Sequence, residues 1–204
     1  MYCSLFTRPP LQDAYAEPII KEIITQLGFN PNTKDNTSFA STSLPWIAEF
    51  GANFLKECLQ NMQKIKPDVN VEDNNGITAL HLYSDYNAAQ IVKILLENGG
   101  NVNYQSTKNA ATSVHFLFLN TTGINTSKPK LPTLEILLNT ENKPPFNPNI
   151  MMIGEKTVEN LLQDDTINIV DRSECTKLLS DYTSWYNNTN EETSSLGTDF
   201  VLYE

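Results

Sequence analysis

Little in this sequence of 204 residues belongs to a disulfide scaffold, a membrane span or a nucleic-acid binder. It has only three cysteines, Cys3, Cys58 and Cys175, far apart and without a CxxC pair. That excludes a cysteine framework and a cysteine-based zinc site, and points to a reducing compartment. No apolar run reaches the roughly 18–20 residues that a membrane helix needs. The N-terminal stretch Met1–Pro10 lacks the charged-then-apolar order of a Sec signal peptide, so none is expected. Arginine is limited to Arg8 and Arg172, and the net charge is −10 with a pI near 4.6. Phosphate-backbone binding needs clustered cations, so nucleic acid is excluded as a partner. There is no phosphate loop, GxGxxG, HExxH or EF-hand spacing, and no cofactor or metal is expected. Only two histidines exist, His81 and His115. The neighbouring carboxylates Asp164–Asp165 and Glu191–Glu192 do not face each other on a helix and form no paired-acid site.

Asparagine, by contrast, is abundant, with 24 residues. Part of it falls in a recurring tripeptide: Asn30-Pro31-Asn32, Asp68-Val69-Asn70, Asn101-Val102-Asn103 and Asn147-Pro148-Asn149. The final asparagines are 38, 33 and 46 residues apart. A repeat of this length marks stacked supersecondary units. Each tripeptide follows an apolar stripe with helical spacing: Ile20, Ile23, Ile24 and Leu27; Phe54, Leu55, Cys58, Leu59 and Met62; Ile91, Val92, Leu95 and Leu96; Leu134, Leu137 and Leu138. Such stripes predict helices that bury one face against neighbouring units.

The stretch from Asp73 to Asn103 resembles an ankyrin repeat. Against the pattern DxxGxTPLHxAxx…VxxLLxxGAxxN it keeps Asp73, Gly76, Thr78, Leu80, His81, Val92, Leu95, Leu96, Gly99 and Asn103. Thr112-Ser113-Val114-His115 resembles a second TPLH turn, separated from Leu134–Leu138 by the polar insertion 120–130. Upstream, 42–62 reads as a helix pair with Pro45 in the histidine position. The resemblance implies an all-α solenoid of three to four helix–turn–helix units in one array. Its expected parts are an N-terminal cap at 17–36, units at 37–72, 73–105 and 106–150, a C-terminal cap at 151–182, and a tail at 183–204. It gives both histidines a structural task.

The same resemblance implies a non-enzymatic protein–protein interaction module, expected to be a monomer. Its partner-contacting positions would be Asn74, Asn75, Ile77, Asp85, Tyr86 and Asn98, with Thr107, Lys108 and Ala111 in the next turn. Asn103 matches the position at which host asparaginyl hydroxylase modifies ankyrin proteins. The tail runs polar to Ser195 and ends in Phe200-Val201-Leu202-Tyr203. It resembles the C-terminal translocation signal of type IV secreted effectors of the Legionella kind, with Glu191 and Glu192 as the acidic block and Leu202 as the hydrophobic residue. This implies export from a bacterial cytoplasm by a non-Sec route into a host cell, where a cytosolic protein would be engaged. Packing of Phe200–Tyr203 back on the array is the alternative for the tail. For the whole chain the alternatives are a cysteine-dependent enzyme using Cys3 and His115, and an ankyrin-type inhibitor of viral or other origin.

Overall fold

The computed structural model describes residues 30–35, 42–61, 67–123, 127–139 and 141–196, together with Pro18 and Glu22. The helix expected before Asn30 and the apolar end Phe200–Tyr203 lie outside these residues. Eight helices follow one another among the described residues: α1 Ser43–Glu49, α2 Ala52–Asn61, α3 Ala79–Asp85, α4 Ala89–Glu97, α5 Ser113–Leu119, α6 Leu131–Leu137, α7 Val158–Gln163 and α8 Arg172–Leu196. They pair in sequence, and two rows form: α1, α3, α5 and α7 pack side by side, and so do α2, α4, α6 and α8. The only β feature among the described residues is an isolated bridge, Met152 with Lys156.

Three of the four apolar stripes read from the sequence fall on the described residues, and they are the inner faces of this array. Phe54, Leu55, Cys58, Val92, Leu95, Leu134 and Leu137 are buried in one continuous core with Leu80, Leu117 and Phe118. Each fully buried large side chain contributes roughly 1.5–3 kcal/mol, so the stacking of units, rather than any single short helix, holds the fold.

The asparagine triplets explain themselves in hydrogen bonds. The first residue of each closes a local turn: Asn30, Asp68, Asn101 and Asn147 each accept, on the side chain, the N–H two residues on. The third residue reaches into the next unit. Asn32 Oδ1 accepts from Asp68 N at 2.8 Å, Asn70 Oδ1 from Asn101 N at 2.8 Å, and Asn103 Oδ1 from Asn147 N at 2.7 Å. Asn70 and Asn103 also donate through Nδ2 to the carbonyls of Gly99 and Pro145. A short amide side chain with both donor and acceptor fits a backbone that offers both. The triplet spacing is therefore the spacing of the units themselves.

Residues 183–196, expected as a polar linker, continue α8 to Leu196. No glycine or proline stands between Gly154 and Gly197 to stop the helix. Its start is pinned by Arg172, whose guanidinium donates to the carbonyls of Leu162, Asp164 and Ile167. Further along, Tyr182 packs against Phe146, Trp185 and Tyr186 and donates its hydroxyl to Phe146 O at 2.9 Å.

Candidate functional site

Three loops precede the first helices α3, α5 and α7 and stand beside one another as fingers. In the first, the Asp73 carboxylate accepts from Asn75 N at 2.8 Å and Ile77 N at 2.9 Å, while Asp73 N donates to Ile77 O. The second closes with Ser106 N to Ala111 O, and the third with Met152 N to Lys156 O. Successive fingers are joined by backbone bonds, Lys108 N to Asn75 O at 3.3 Å and Ile153 N to Asn109 O at 2.8 Å. The approach is close enough that a Cβ on Gly76, whose φ is +71°, would lie 2.3 Å from Thr107 N.

The residue two before each capping threonine turns the finger with positive φ. It is Gly76 in the first finger, but Ala110 (φ 53°) in the second and Glu155 (φ 58°) in the third. The missing glycine of the second finger is thus replaced by a strained alanine, and the loop is one residue longer than in the first. Asn109 fills the extra position, which has no counterpart in the first finger.

Behind the fingers, Thr78 and His81 fix the start of α3. Thr78 N donates to His81 Nδ1 at 3.1 Å, so this nitrogen carries no proton, and Nε2 donates to Tyr104 O at 2.9 Å in the next unit. Burial pushes His81 down to about 4, against the weaker pull of the Tyr104 and Ala111 backbone and of Asp73 and Glu72. The same box recurs at Thr112 and His115, with Nδ1 receiving Thr112 N at 3.2 Å and the Lys156 backbone opposite. Burial brings His115 to about 4 as well. In the third finger Asn160 Oδ1 takes the part of Nδ1, accepting from Thr157 N at 2.9 Å. In the first pair Pro45 stands there instead, and its carbonyl receives the Tyr83 hydroxyl at 2.7 Å.

The expected contact residues separate into two groups. Asn74, Thr107 and Lys108 are exposed on the fingers, and Asn75, Ile77 and Asn98 are half-buried. Asp85, Tyr86 and Ala111 are buried, at 1%, 7% and 0% exposure, and present no contact surface. Each has a physical reason. The Asp85 carboxylate accepts from Thr121 N, Thr121 Oγ1 and Thr122 N at 2.5, 3.2 and 3.0 Å, where the insertion folds over the end of α3. Tyr86 stacks edge-on against Tyr83 with centroids 5.6 Å apart. Ala111 closes the second finger through its carbonyl. The third finger supplies surface that the sequence reading missed: Met151 and Ile153 are 55% and 64% exposed beside Lys156. The signal was the Thr157…Asn160 pair, a TPLH turn with Asn in the histidine position.

Asn103 is half-buried with both ends of its amide bonded across to the Asn147 turn. Glu191 and Glu192 lie in the last turns of α8, and Leu202 lies outside the described residues. Cys58 and Cys175 are buried, and burial with the Asp171 carboxylate pushes the Cys175 thiol up to about 12. Cys3 lies outside the described residues, and His115 is committed to its helix start. Among the described residues no group of His, Cys, Asp and Glu is placed to hold a metal ion. Nor is any helix among them long and apolar enough to cross a membrane.

Comparison with known proteins agrees with this geometry. A family profile described as ankyrin repeats (many copies) matches residues 62–117. An ankyrin repeat protein of Rickettsia conorii is 62% identical over 37 residues, covering 18% of this chain and 68% of that relative. On this likeness, which covers more than two thirds of that relative, the chain belongs to the ankyrin-repeat family.

Proposed function

We propose that the chain is a protein-interaction module, as ankyrin repeats imply, and that it grips its partner with the finger row. The observation that carries this reading is the row itself. Asn74, Thr107, Lys108, Met151 and Ile153 are exposed on three loops that backbone bonds hold in one line. Preorganised loops lose little entropy on binding, and an exposed apolar pair at one end gives the row an anchor. Asn75, Asn109 and Ile77 flank it, and Asn98 stands at its edge.

The array is read as four units, with α7–α8 as the C-terminal cap. This is supported by the polar outward residues Glu159, Gln163, Ser173, Glu174, Thr176, Lys177, Ser180 and Asp181, all exposed, as a terminal unit requires. The monomeric state goes with this reading. The finer role is that of a bacterial effector exported by a type IV route, with the end of α8 and the tail, including Glu191, Glu192 and Leu202, serving export. The partner is then a host cytosolic protein and the site of action the host cytoplasm. Supporting this are the tail's acidic block and its apolar end after a polar stretch. Modification of Asn103 by host hydroxylase belongs to the same reading and requires its turn to open first, since both amide ends are engaged.

The test is capture from host-cell lysate with the intact chain and with a Lys108→Glu, Ile153→Asp double variant. One stoichiometric partner, lost with the variant, is the expected result. Retention of that partner by the variant removes the finger row. Separately, a translocation reporter fused to the chain should enter host cells and fail to do so without residues 191–204. Equal entry removes the export role and leaves the binding module untouched.

A further inference from the structure

The backbone bonds between the fingers all run one way. Lys108 N donates to Asn75 O at 3.3 Å, and Ile153 N donates to Asn109 O at 2.8 Å. In both joints the acceptor is the carbonyl just before the positive-φ residue of the earlier finger, and the donor belongs to the later one. Gln105 Nε2 ties the second joint again, donating to Ala110 O at 2.8 Å and to Met151 O of the third finger at 3.2 Å. A row built in this way has unlike ends. Its forward end offers a carbonyl to whatever comes next, as the edge of a sheet does.

That forward end is the third finger. It has the spacing of the first, with Met152 N on Lys156 O as Asp73 N is on Ile77 O, so Gly154 occupies the place of Asn75. No finger follows it among the described residues, because α7 leads through 164–171 into α8. From these residues the Gly154 carbonyl receives no hydrogen bond. The space beside it is open: Gly154 is exposed, and a Cβ built on it would meet nothing within 4 Å. In the first finger, by contrast, the next finger lies 2.3 Å from the Cβ position of Gly76. Exposed Met151 and Ile153 flank the open carbonyl. The charge around them is negative, since Glu155 and Glu159 are exposed while Lys156 is paired with Asp164 at 3.7 Å.

We propose that the partner docks on this end of the row, as an extended segment of another protein that adds itself as the next finger. It donates a backbone N–H to Gly154 O, rests an apolar side chain on Met151 and Ile153, and carries Lys or Arg beside that side chain. The proposal rests on the reading of the chain as a module that grips with its fingers, and it narrows the grip to one end. The main-chain bond sets the register of such a segment, and the apolar anchor and opposite charge select it. A second copy of this chain is the poorer occupant, because each copy carries a net charge of −10.

The test uses the full chain and a phage library of random dodecapeptides, with the strongest clone synthesised as the probe. Glycine labelled with 13C at the carbonyl and glutamate labelled with 15N mark one peptide bond, because Gly154–Glu155 is the sole Gly–Glu step in the sequence. The selected peptide is expected to join an apolar residue to Lys or Arg and to move the Gly154 carbonyl resonance downfield. It should bind at least tenfold more weakly to Ile153→Asp and at least fivefold more weakly to the Glu155→Lys, Glu159→Lys double variant. These side chains are exposed, so both variants should melt as the wild type does. A library without a binding clone, an unmoved Gly154 resonance in the peptide complex, or binding indifferent to Ile153→Asp overturns the proposal. Lys108→Glu judges the finger row separately. A peptide that needs Lys108 but leaves the Gly154 resonance in place keeps the row as the grip and removes its open end.

Discussion

Acidification should loosen this array through two particular side chains. In the folded chain His81 and His115 are neutral, each with Nδ1 occupied by a threonine N–H, and each titrates at about 4. In the unfolded chain a histidine titrates near 6.5. The unfolded state therefore binds more protons between these values, and stability rises with pH across that window. The contribution is fully present above about pH 6.5, falls as pH drops, and is exhausted near pH 4. One pKa unit corresponds to about 1.4 kcal/mol, so at pH 5 each histidine should cost about 2 kcal/mol relative to pH 7, and the pair about 4. Urea melts at pH 7, 6 and 5 give the slope. The informative comparison is with His115→Asn, which copies the natural Thr157–Asn160 box of the third finger. That variant should be less stable at pH 7 from lost packing, yet its slope between pH 7 and 5 should be about half the wild-type slope. An unchanged slope would refute the reasoning, because the acid sensitivity would then reside in other groups.

Three further outcomes follow from the same geometry. Gly76→Ala should cost about 2–4 kcal/mol in a thermal melt, from a left-handed φ combined with overlap at Thr107 N, whereas Gly99→Ala, which meets nothing within 4 Å, should cost about 1. Ala110→Gly and Glu155→Gly should each raise stability by about 0.5–1 kcal/mol, since both residues hold positive φ without need of a side chain for the turn; no gain in either melt would mean the strain is absent. Truncation after Tyr182 should destabilise by about 1–2 kcal/mol more than truncation after Asn190, because only the former removes Trp185 and Tyr186 from the Tyr182 cluster and Asn187 from Asn149.

Much of the fold was legible because the same residues do the same work in each unit. The asparagine triplets, the TPLH-like turns and the i, i+3, i+4 stripes are local signals with fixed partners one unit away, and among the described residues they appear where the spacing placed them. The candidate surface was less legible. Asp85 and Tyr86 occupy positions at the end of a first helix, but Asp85 is covered by an insertion some 35 residues later and Tyr86 turns in against Tyr83, which no local pattern announces. The third finger was obscured by substitution: Asn160 does the work of histidine and Glu155 the work of glycine, so the function persisted while the motif did not. The length of α8 was hidden by its composition. Serine, threonine and asparagine are weak helix formers, yet Ser184, Thr189 and Asn190 turn their side chains back to the carbonyls four residues earlier, and no breaker precedes Gly197.

The central claim is that the finger row is the face that meets another protein. A photo-crosslinking residue placed in turn at Lys108, Ile153 and Lys177, in the full chain exposed to host-cell lysate, tests it most directly. A discrete adduct of one protein from positions 108 and 153, with none from position 177 on α8, is the predicted result. The same adduct from position 177, or none from the two finger positions while 177 reacts, would contradict it.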